Sequence, residues 1–167
     1  MYEWQDENAV KAREATAEEY LNRIKKDGWQ VTHTENRVEK WDCTVTNGFF
    51  TYYVETKLRD IPSEKVKQEG AMIDCEKVNT LVEKGNGLVV QFFWKSDEVY
   101  IWDVRERGSW KIGNRLLNHD SFSDKKIYKC VYYMPMDDRH LKKLDMSDYL
   151  AIYNKYYKQS KENEYTA

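Results

Sequence analysis

Hydrophobic and polar positions follow a helical period in the first part of the chain. Within residues 10–27, Ala17, Tyr20 and Leu21 recur at helical spacing among charged residues. This spacing places the apolar side chains on one face of an amphipathic helix and the charges on the other. We therefore predict a first helix that packs its apolar face on a core, followed by an extended segment over residues 29–34.

The pattern becomes β-like on both sides of Asn47-Gly48. Residues 39–46 and 49–57 are rich in β-branched and aromatic side chains and flank this dipeptide. Asn-Gly between two such runs is typical of a tight hairpin, because both turn positions require a positive φ. The sequence therefore predicts a hairpin with a two-residue loop.

The register of this hairpin decides which side chains share a face. A two-residue loop places Asp42 opposite Tyr53 and Lys40 opposite Glu55, and paired side chains project from the same side of a sheet. Asp42, Glu55 and Lys57 therefore share one face, within diagonal reach of each other. The opposite face is apolar and is predicted to be the core side; it carries Trp41, Cys43, Val45, Phe50, Tyr52, Val54 and Leu58.

The rest of the chain continues to alternate helices and strands. The pattern predicts a helix over residues 74–84, strands over 88–94, 99–105 and 128–134, and a last helix over 146–158. This order predicts an α/β fold in which a mixed sheet is flanked by helices, with a strand and a helix added at the C-terminal end. We expect residues 1–160 to form one domain and residues 161–167 to be a polar tail.

Composition argues against several classes of protein. Apolar residues are 41% and charged residues 34% of the 167 residues, and no apolar run approaches the roughly 18 residues of a membrane-spanning helix. The three cysteines, Cys43, Cys75 and Cys130, are odd in number and widely spaced. They predict neither a disulfide framework nor a structural zinc site, and they favour a cytoplasmic protein. With a net charge of −2, a polyanion would have to bind through a local patch or a metal ion.

The polar face of the hairpin predicts a divalent-metal site. It combines the carboxylates of Asp42 and Glu55 with the ammonium group of Lys57. Mg²⁺ or Mn²⁺ prefers oxygen ligands and needs only one or two protein carboxylates when a substrate phosphate is also bound. A nearby lysine can orient or deprotonate a water molecule. The alternative is an exposed sheet face whose cross-strand ion pairs contribute about 0.2–1 kcal/mol each.

The sequence around these residues resembles the PD-(D/E)XK nuclease superfamily. That superfamily has an Asp on its second core strand and (D/E)-x-K on its third, as in Asp42 and Val54-Glu55-Thr56-Lys57 of this chain. Its restriction-endonuclease-like core runs α-β-β-β-α-β, which matches the predicted order over the first two thirds of the chain. The details are most similar to phage and Holliday-junction-resolvase-like members. The family often has Pro before the Asp, where this chain has Trp.

The resemblance implies a metal-dependent endonuclease that hydrolyses DNA in phage or mobile-element DNA processing. Asp42, Glu55 and the backbone carbonyl of Thr56 would hold Mg²⁺ or Mn²⁺, and Lys57 would position the attacking water. DNA is then the expected partner and no membrane is involved. Many such cores cut two strands as a dimer, which leaves a homodimer open. The alternative is a catalytically inactive module of this fold that binds nucleic acid or protein.

Some members of the superfamily add a glutamate from the first helix to the metal site. The corresponding position here is Ala17, and Glu14 and Glu18 flank the inward face of the helix. Either could substitute for the missing ligand. The alternative is that both are solvated charges on the helix surface.

Other residues are candidates for supporting roles. Arg59 and Lys77 could contact phosphate, and Glu69 could be a further acidic ligand, although each could also be a solvated charge. Gln91 lies in an apolar strand, where it either lines the site or satisfies a strand edge. Residues 105–129 hold seven Lys or Arg against three Asp or Glu, which makes them a candidate DNA-backbone patch or a solvated loop.

Overall fold

Two β-sheets and three helices make up the fold in a computed structural model that describes residues 7–34, 41–118, 125–143, 145 and 148–166. The helices are α1 (Glu7–Ile24), α2 (Cys75–Lys84) and α3 (Tyr149–Thr166). The strands are β1 (Gln30–His33), β2 (Cys43–Thr46), β3 (Thr51–Arg59), β4 (Ala71–Asp74), β5 (Gly87–Phe93), β6 (Glu98–Asp103), β7 (Lys111–Asn118), β8 (Lys126–Met134) and β9 (Leu141–Lys143).

The larger sheet has six strands in the order β1-β2-β3-β5-β6-β9. β3 and β5 are parallel, and α2 lies in the connection between them, whereas the other neighbours are antiparallel. The smaller sheet is antiparallel, in the order β4-β8-β7. The mixed sheet and its flanking helices confirm the predicted α/β fold class. No helix in the described part of the chain is long and apolar enough to cross a membrane.

Hydrophobic cores cover both faces of the larger sheet. The first core joins α1 and α3 to the sheet, and its buried residues are Ala17, Tyr20, Leu21, Cys43, Val54, Val90, Phe92, Val99, Tyr149 and Ile152. The second core joins α2 and the smaller sheet to the opposite face, and its buried residues are Ala71, Ile73, Val78, Leu81, Val89, Phe93, Tyr100, Trp102, Val104, Trp110 and Met134. The predicted polar face is therefore apolar over much of its area, and its charged residues lie at one edge of the second core.

The loop of the first hairpin is longer than predicted. Thr46 pairs with Thr51, which leaves a four-residue loop instead of two residues. The side-chain oxygen of Asn47 accepts hydrogen bonds from the backbone N–H groups of Phe49, at 2.9 Å, and Phe50, at 2.8 Å. These bonds close a wider turn and replace the tight Asn-Gly turn.

The longer loop shifts the strand register by two residues without exchanging the faces. Thr44 pairs with Tyr53, so the predicted pair of Asp42 with Tyr53 is wrong. Lys40, which was predicted to pair with Glu55, lies outside the described residues. The even shift preserves the alternation of the paired residues of β2 and β3. Asp42 precedes β2, and its backbone N–H donates to the Val54 carbonyl at 3.0 Å, so the register of β2 does not decide which face its side chain occupies.

Two residues assigned to the apolar face lie elsewhere. Trp41 packs against the second core, with its ring 5.1 Å from the ring of Tyr53. The chain bends at residues 41–42 before β2 begins, so the strand alternation does not extend to Trp41. Phe50 lies in the hairpin loop and is 62% exposed.

Three strands were missed by the sequence prediction, and two helices have bounds that differ from it. β4 and β9 have 4 and 3 residues, too few to show a period. β7 has little apolar–polar alternation. α3 continues to Thr166, through most of the predicted polar tail, and α1 begins and ends three residues earlier than predicted.

A disulfide joins Cys75, at the start of α2, to Cys130 in β8. Cys43 is buried and free. The odd number of cysteines argued against disulfide bonding, so this pair corrects that expectation. The two residues are 55 positions apart, and only the packing of the smaller sheet against α2 brings them together. Cysteine usage therefore no longer supports a cytoplasmic location.

Candidate active site

A cleft of about 510 Å³ opens between β3, α2 and the smaller sheet. Its lining includes four basic and three acidic side chains: Lys57, Arg59, Lys77, Lys129, Glu55, Asp74 and Glu76. Gln91 of β5 also lines it. The parallel pairing of β3 with β5 sets Glu55 beside Val89 and Lys57 beside Gln91. The cleft therefore gathers five of the residues singled out in the sequence: Glu55, Lys57, Arg59, Lys77 and Gln91.

Asp42 is held beside this cleft by Thr56. Its Oδ2 atom accepts hydrogen bonds from the backbone N–H of Thr56, at 2.7 Å, and from the Thr56 hydroxyl, at 3.0 Å. These bonds fix the orientation of the carboxylate, and its charge acts on Glu55.

Glu55 is a buried carboxylate whose negative charge is only partly neutralised by its neighbours. It is only 7% exposed, and the Lys77 ammonium group donates a hydrogen bond to its Oε1 atom. Burial, together with the charge of Asp42, raises the pKa of Glu55 to about 7 even though Lys77 and Lys57 act in the opposite direction. The lysines therefore do not fully offset the combined effect of burial and the charge of Asp42 on Glu55. A further cation beside these two carboxylates would be favourable.

Two of the three lysines that line the cleft, Lys57 and Lys77, differ in protonation behaviour. Partial removal from water, followed by the charges of Arg59 and Lys77, lowers the pKa of Lys57 to about 8. Lys57 therefore gives up its proton more readily than an ordinary lysine. For Lys77, removal from water is outweighed by the charge and hydrogen bond of Glu55, so the pKa of Lys77 is raised. Lys77 thus stays charged, whereas Lys57 is suited to proton transfer.

Gln91 positions Arg59 at the wall of the cleft. The Arg59 Nε atom donates to the Gln91 side-chain oxygen at 3.0 Å, and its Nη2 atom donates to the Met72 carbonyl at 2.6 Å. The Gln91 amide donates to the same carbonyl at 3.1 Å. Since Gln91 is 1% exposed, these bonds explain a polar residue in an otherwise apolar strand. They hold the guanidinium group in one orientation.

The two glutamates of α1 that were candidate ligands do not line the cleft of Glu55. Glu14 and Glu18 line a second cleft of about 570 Å³ between α1 and α3, together with His33. Glu18 is hydrogen-bonded to His33. Burial raises the pKa of both glutamates, and the nearby charge of Asp42 adds to the effect. The charge of Asp42 therefore acts both on Glu55 and on the α1 pair Glu14 and Glu18.

Glu69 is also separate from the cleft. It forms an exposed ion pair with Arg115 of β7, with a distance of 3.3 Å between the charged atoms. Glu69 thus anchors the smaller sheet and is not placed to act as a ligand beside Glu55.

Asp74 and Lys129 line the cleft and were not identified from the sequence. Asp74 directly precedes α2, but its side chain makes no capping hydrogen bond and instead pairs with Lys129 at 3.4 Å. These residues belong to β4 and β8 of the smaller sheet. The inclusion of Lys129 in the basic segment 105–129 was the only sequence signal for this wall.

The chemistry of Asp42 and Glu55 fits a single Mg²⁺-like ion. Among the described residues, no group of three or more His, Cys, Asp or Glu side chains is arranged to hold a metal. Mg²⁺ keeps several waters and is commonly bound by one or two carboxylates plus substrate phosphate. The charge of Asp42 helps to raise the pKa of the buried Glu55 carboxyl group. A bound divalent ion would reduce this repulsion between the two carboxylates.

We expect the substitution Glu55→Gln to remove a pH-dependent loss of stability. The pKa of Glu55 rises from 4.5 to about 7 on folding, so the folded state binds its proton more tightly than the unfolded state. The favourable contribution is present below about pH 4.5 and is lost as pH rises through 7. As pH rises across this range, the free energy of unfolding, measured with urea, should increase for the variant relative to the wild type by at least about 1 kcal/mol. A constant difference would contradict the assignment.

Comparison with solved structures finds several similar chains. One of them is Hjc, a Holliday junction resolvase from the archaeal hyperthermophile Archaeoglobus fulgidus, with a TM-score of 0.40 and 16% sequence identity, covering 66% of this chain and 83% of that chain. No protein-family model matches the chain, and comparison with curated proteins gives no match. Because a likeness of this strength does not assign an activity, the function proposed below depends on the cleft itself.

Proposed function

We propose that this chain is a metal-dependent nuclease that hydrolyses phosphodiester bonds in DNA. The observation that supports it most is the buried carboxylate of Glu55, which interacts with the charge of Asp42 and lies in a cleft with four basic side chains. Carboxylates can hold a cation, and basic groups can hold a phosphate. A cleft that combines both is suited to phosphodiester hydrolysis. The sequence resemblance adds the suggestion of phage or mobile-element DNA.

Asp42, Glu55 and the Thr56 carbonyl would hold Mg²⁺ or Mn²⁺. When bound, such an ion would stabilise the negative charge that develops on the phosphate. The Thr56 N–H and hydroxyl keep Asp42 oriented for this role. Glu55 contributes its charge from a buried position, where water competes little.

The basic residues would act on the water and the phosphate. Lys57, whose pKa is lowered to about 8, would orient the attacking water and accept its proton at Nζ in the neutral form. Arg59, held by Gln91 and the Met72 carbonyl, would donate to a phosphate oxygen. Lys77, about half exposed, would leave Glu55 for the phosphate when a metal ion replaces it.

Binding without cleavage is the second candidate function. The ion pair of Lys77 with Glu55 favours it, because an ammonium group already occupies the position next to the buried carboxylate. In this case the cleft would bind nucleic acid through its basic side chains, and Glu55 would only orient Lys77.

A plasmid-nicking experiment separates these two functions. Supercoiled plasmid is incubated with the wild-type protein in Mg²⁺, Mn²⁺ or EDTA, and with the variants Glu55→Gln and Glu83→Gln in Mg²⁺. We expect metal-dependent nicking by the wild type and by the exposed-surface control Glu83→Gln, and at least about a 100-fold slower reaction for Glu55→Gln. Cleavage in EDTA or by Glu55→Gln would contradict the proposal. DNA binding without cleavage in either metal would favour the binding module.

A further inference from the structure

The hairpin of β7 and β8 extends beyond the rest of the smaller sheet. β7 pairs with β8 along its whole length, from Lys111 to Asn118. β4 pairs only with residues 131–134 of β8. The outer half of the hairpin is therefore a two-stranded ribbon that has no third strand among the described residues.

The outer half of the ribbon borders the cleft. Leu117 and Asn118 of β7 and Lys129 of β8 line the cleft that contains Glu55. Cys130, two residues from Tyr128, shares its face and is bonded to Cys75 of α2. Asn118 also shares this face, since it pairs with Lys126, so the face that carries Tyr128 reaches the rim of the cleft. We refer to the part of this face in the outer half of the ribbon as its outer face.

The outer face of the ribbon presents an exposed aromatic ring. Tyr128 is 76% exposed, and Leu116, directly opposite it in the pairing, is 51% exposed. Lys126 is two residues from Tyr128 and shares its face, where it pairs with Asn118. Large side chains of this kind are normally buried. Here a ring and an aliphatic side chain form a small platform edged by polar groups.

The charge of the hairpin matches a polyanion. The described residues 111–118 and 125–134 include five Lys or Arg and no Asp or Glu. The connecting residues 119–124 add two Asp, which leaves a net charge of +3 for the hairpin. Within the described part of the chain, Lys111 and Lys126 make no ion pair with a carboxylate.

We infer that the outer face of the hairpin, with Tyr128 stacked on a base and Leu116 and Lys126 beside it, binds unpaired nucleotides. A basic surface that carries an exposed aromatic ring suits a single strand, since every base has a π face and every nucleotide a phosphate. In a duplex the base faces are hidden within the stack. The inference rests on the proposed function in taking nucleic acid as the ligand. It assigns to the cleft a substrate with a single-stranded segment next to the bond that is cleaved.

Binding of a short fluorescein-labelled single strand and of the matching duplex, measured by anisotropy in EDTA, tests this surface. We expect Tyr128→Ala to weaken single-strand binding about tenfold or more and to change duplex binding much less. Tyr128→Phe keeps the ring and should bind like the wild type. Lys126→Ala should reduce the salt dependence of single-strand binding by about 0.7 in the log–log slope.

The matched control is Phe49→Ala, since Phe49 is 92% exposed but lies in the β2–β3 loop. Equal single-strand binding by the wild type, Tyr128→Ala and Phe49→Ala would overturn the inference. So would an equal loss of duplex binding, or a change in oligomeric state for Tyr128→Ala with no loss of binding, which would make the platform a contact between copies. Binding is measured in EDTA and does not need the metal-dependent reaction, so failure of cleavage and failure of this surface are distinguishable.

Discussion

Replacing Lys57 with alanine is expected to slow cleavage by about 10²–10⁴-fold, the range typical of a lost general acid or base. Lys57 is a basic residue of the cleft whose pKa, lowered to about 8, permits proton transfer near neutral pH. Its side chain is exposed near the end of β3, so truncation opens no cavity. Nicking rates and thermal melting, measured on the same preparations, should show a large loss of rate with an unchanged midpoint.

Two further variants separate the possible roles of Lys57. Lys57→Arg keeps the positive charge but cannot give up its proton near neutral pH, so it should be nearly as slow as Lys57→Ala if Lys57 transfers a proton. Lys67→Ala removes an exposed lysine outside the cleft and should leave the rate unchanged. A wild-type rate for Lys57→Ala would mean that another group activates the water. Full activity of Lys57→Arg combined with slow cleavage by Lys57→Ala would mean that Lys57 stabilises charge and does not transfer a proton.

The alternation of side chains along β2 and β3 could be predicted from the sequence, although the loop between these strands could not. Which face a side chain occupies depends only on whether the register shifts by an odd or an even number of residues. The observed four-residue loop shifts it by two and so preserves the face. The loop length depends on hydrogen bonds from Asn47 to the residues that follow, which the preference for a tight Asn-Gly turn does not anticipate.

The walls of the cleft depend on contacts between segments that are distant in sequence. Asp74 and Lys129 are 55 positions apart, and β4 is too short to be recognised by its pattern. The position of Glu14 and Glu18 depends on how α1 packs against α3. Their spacing shows only that they flank the buried stripe of α1, not which element packs beside them. The sequence could therefore identify the strand-borne residues of the site but not the arrangement of its other sides.

Asp42→Asn is expected to reduce the stabilisation of the fold by divalent metal. A bound ion stabilises the folded state by RT ln(1 + [L]/Kd), about 2.7 kcal/mol at a hundredfold excess over Kd. For a chain of this size that corresponds to a rise of about 5–10 °C in the melting midpoint. The asparagine retains a carbonyl oxygen that can accept the two Thr56 hydrogen bonds, so the local structure should persist while one anionic ligand is lost.

The same substitution should act in the opposite direction on the metal-free protein. The charge of Asp42 is unfavourable for the buried Glu55 and also for Glu14, so its removal should raise the melting midpoint in EDTA. Melting with EDTA and with millimolar Mg²⁺ or Mn²⁺ would compare the wild type, Asp42→Asn and the control Glu83→Gln, whose exposed carboxylate lies on α2 outside the cleft. The control should show the full wild-type shift. If Asp42→Asn also kept it, the ion would be bound elsewhere, the pair Asp42 and Glu55 would be a structural feature of the sheet edge, and binding without cleavage would become the better account of the cleft.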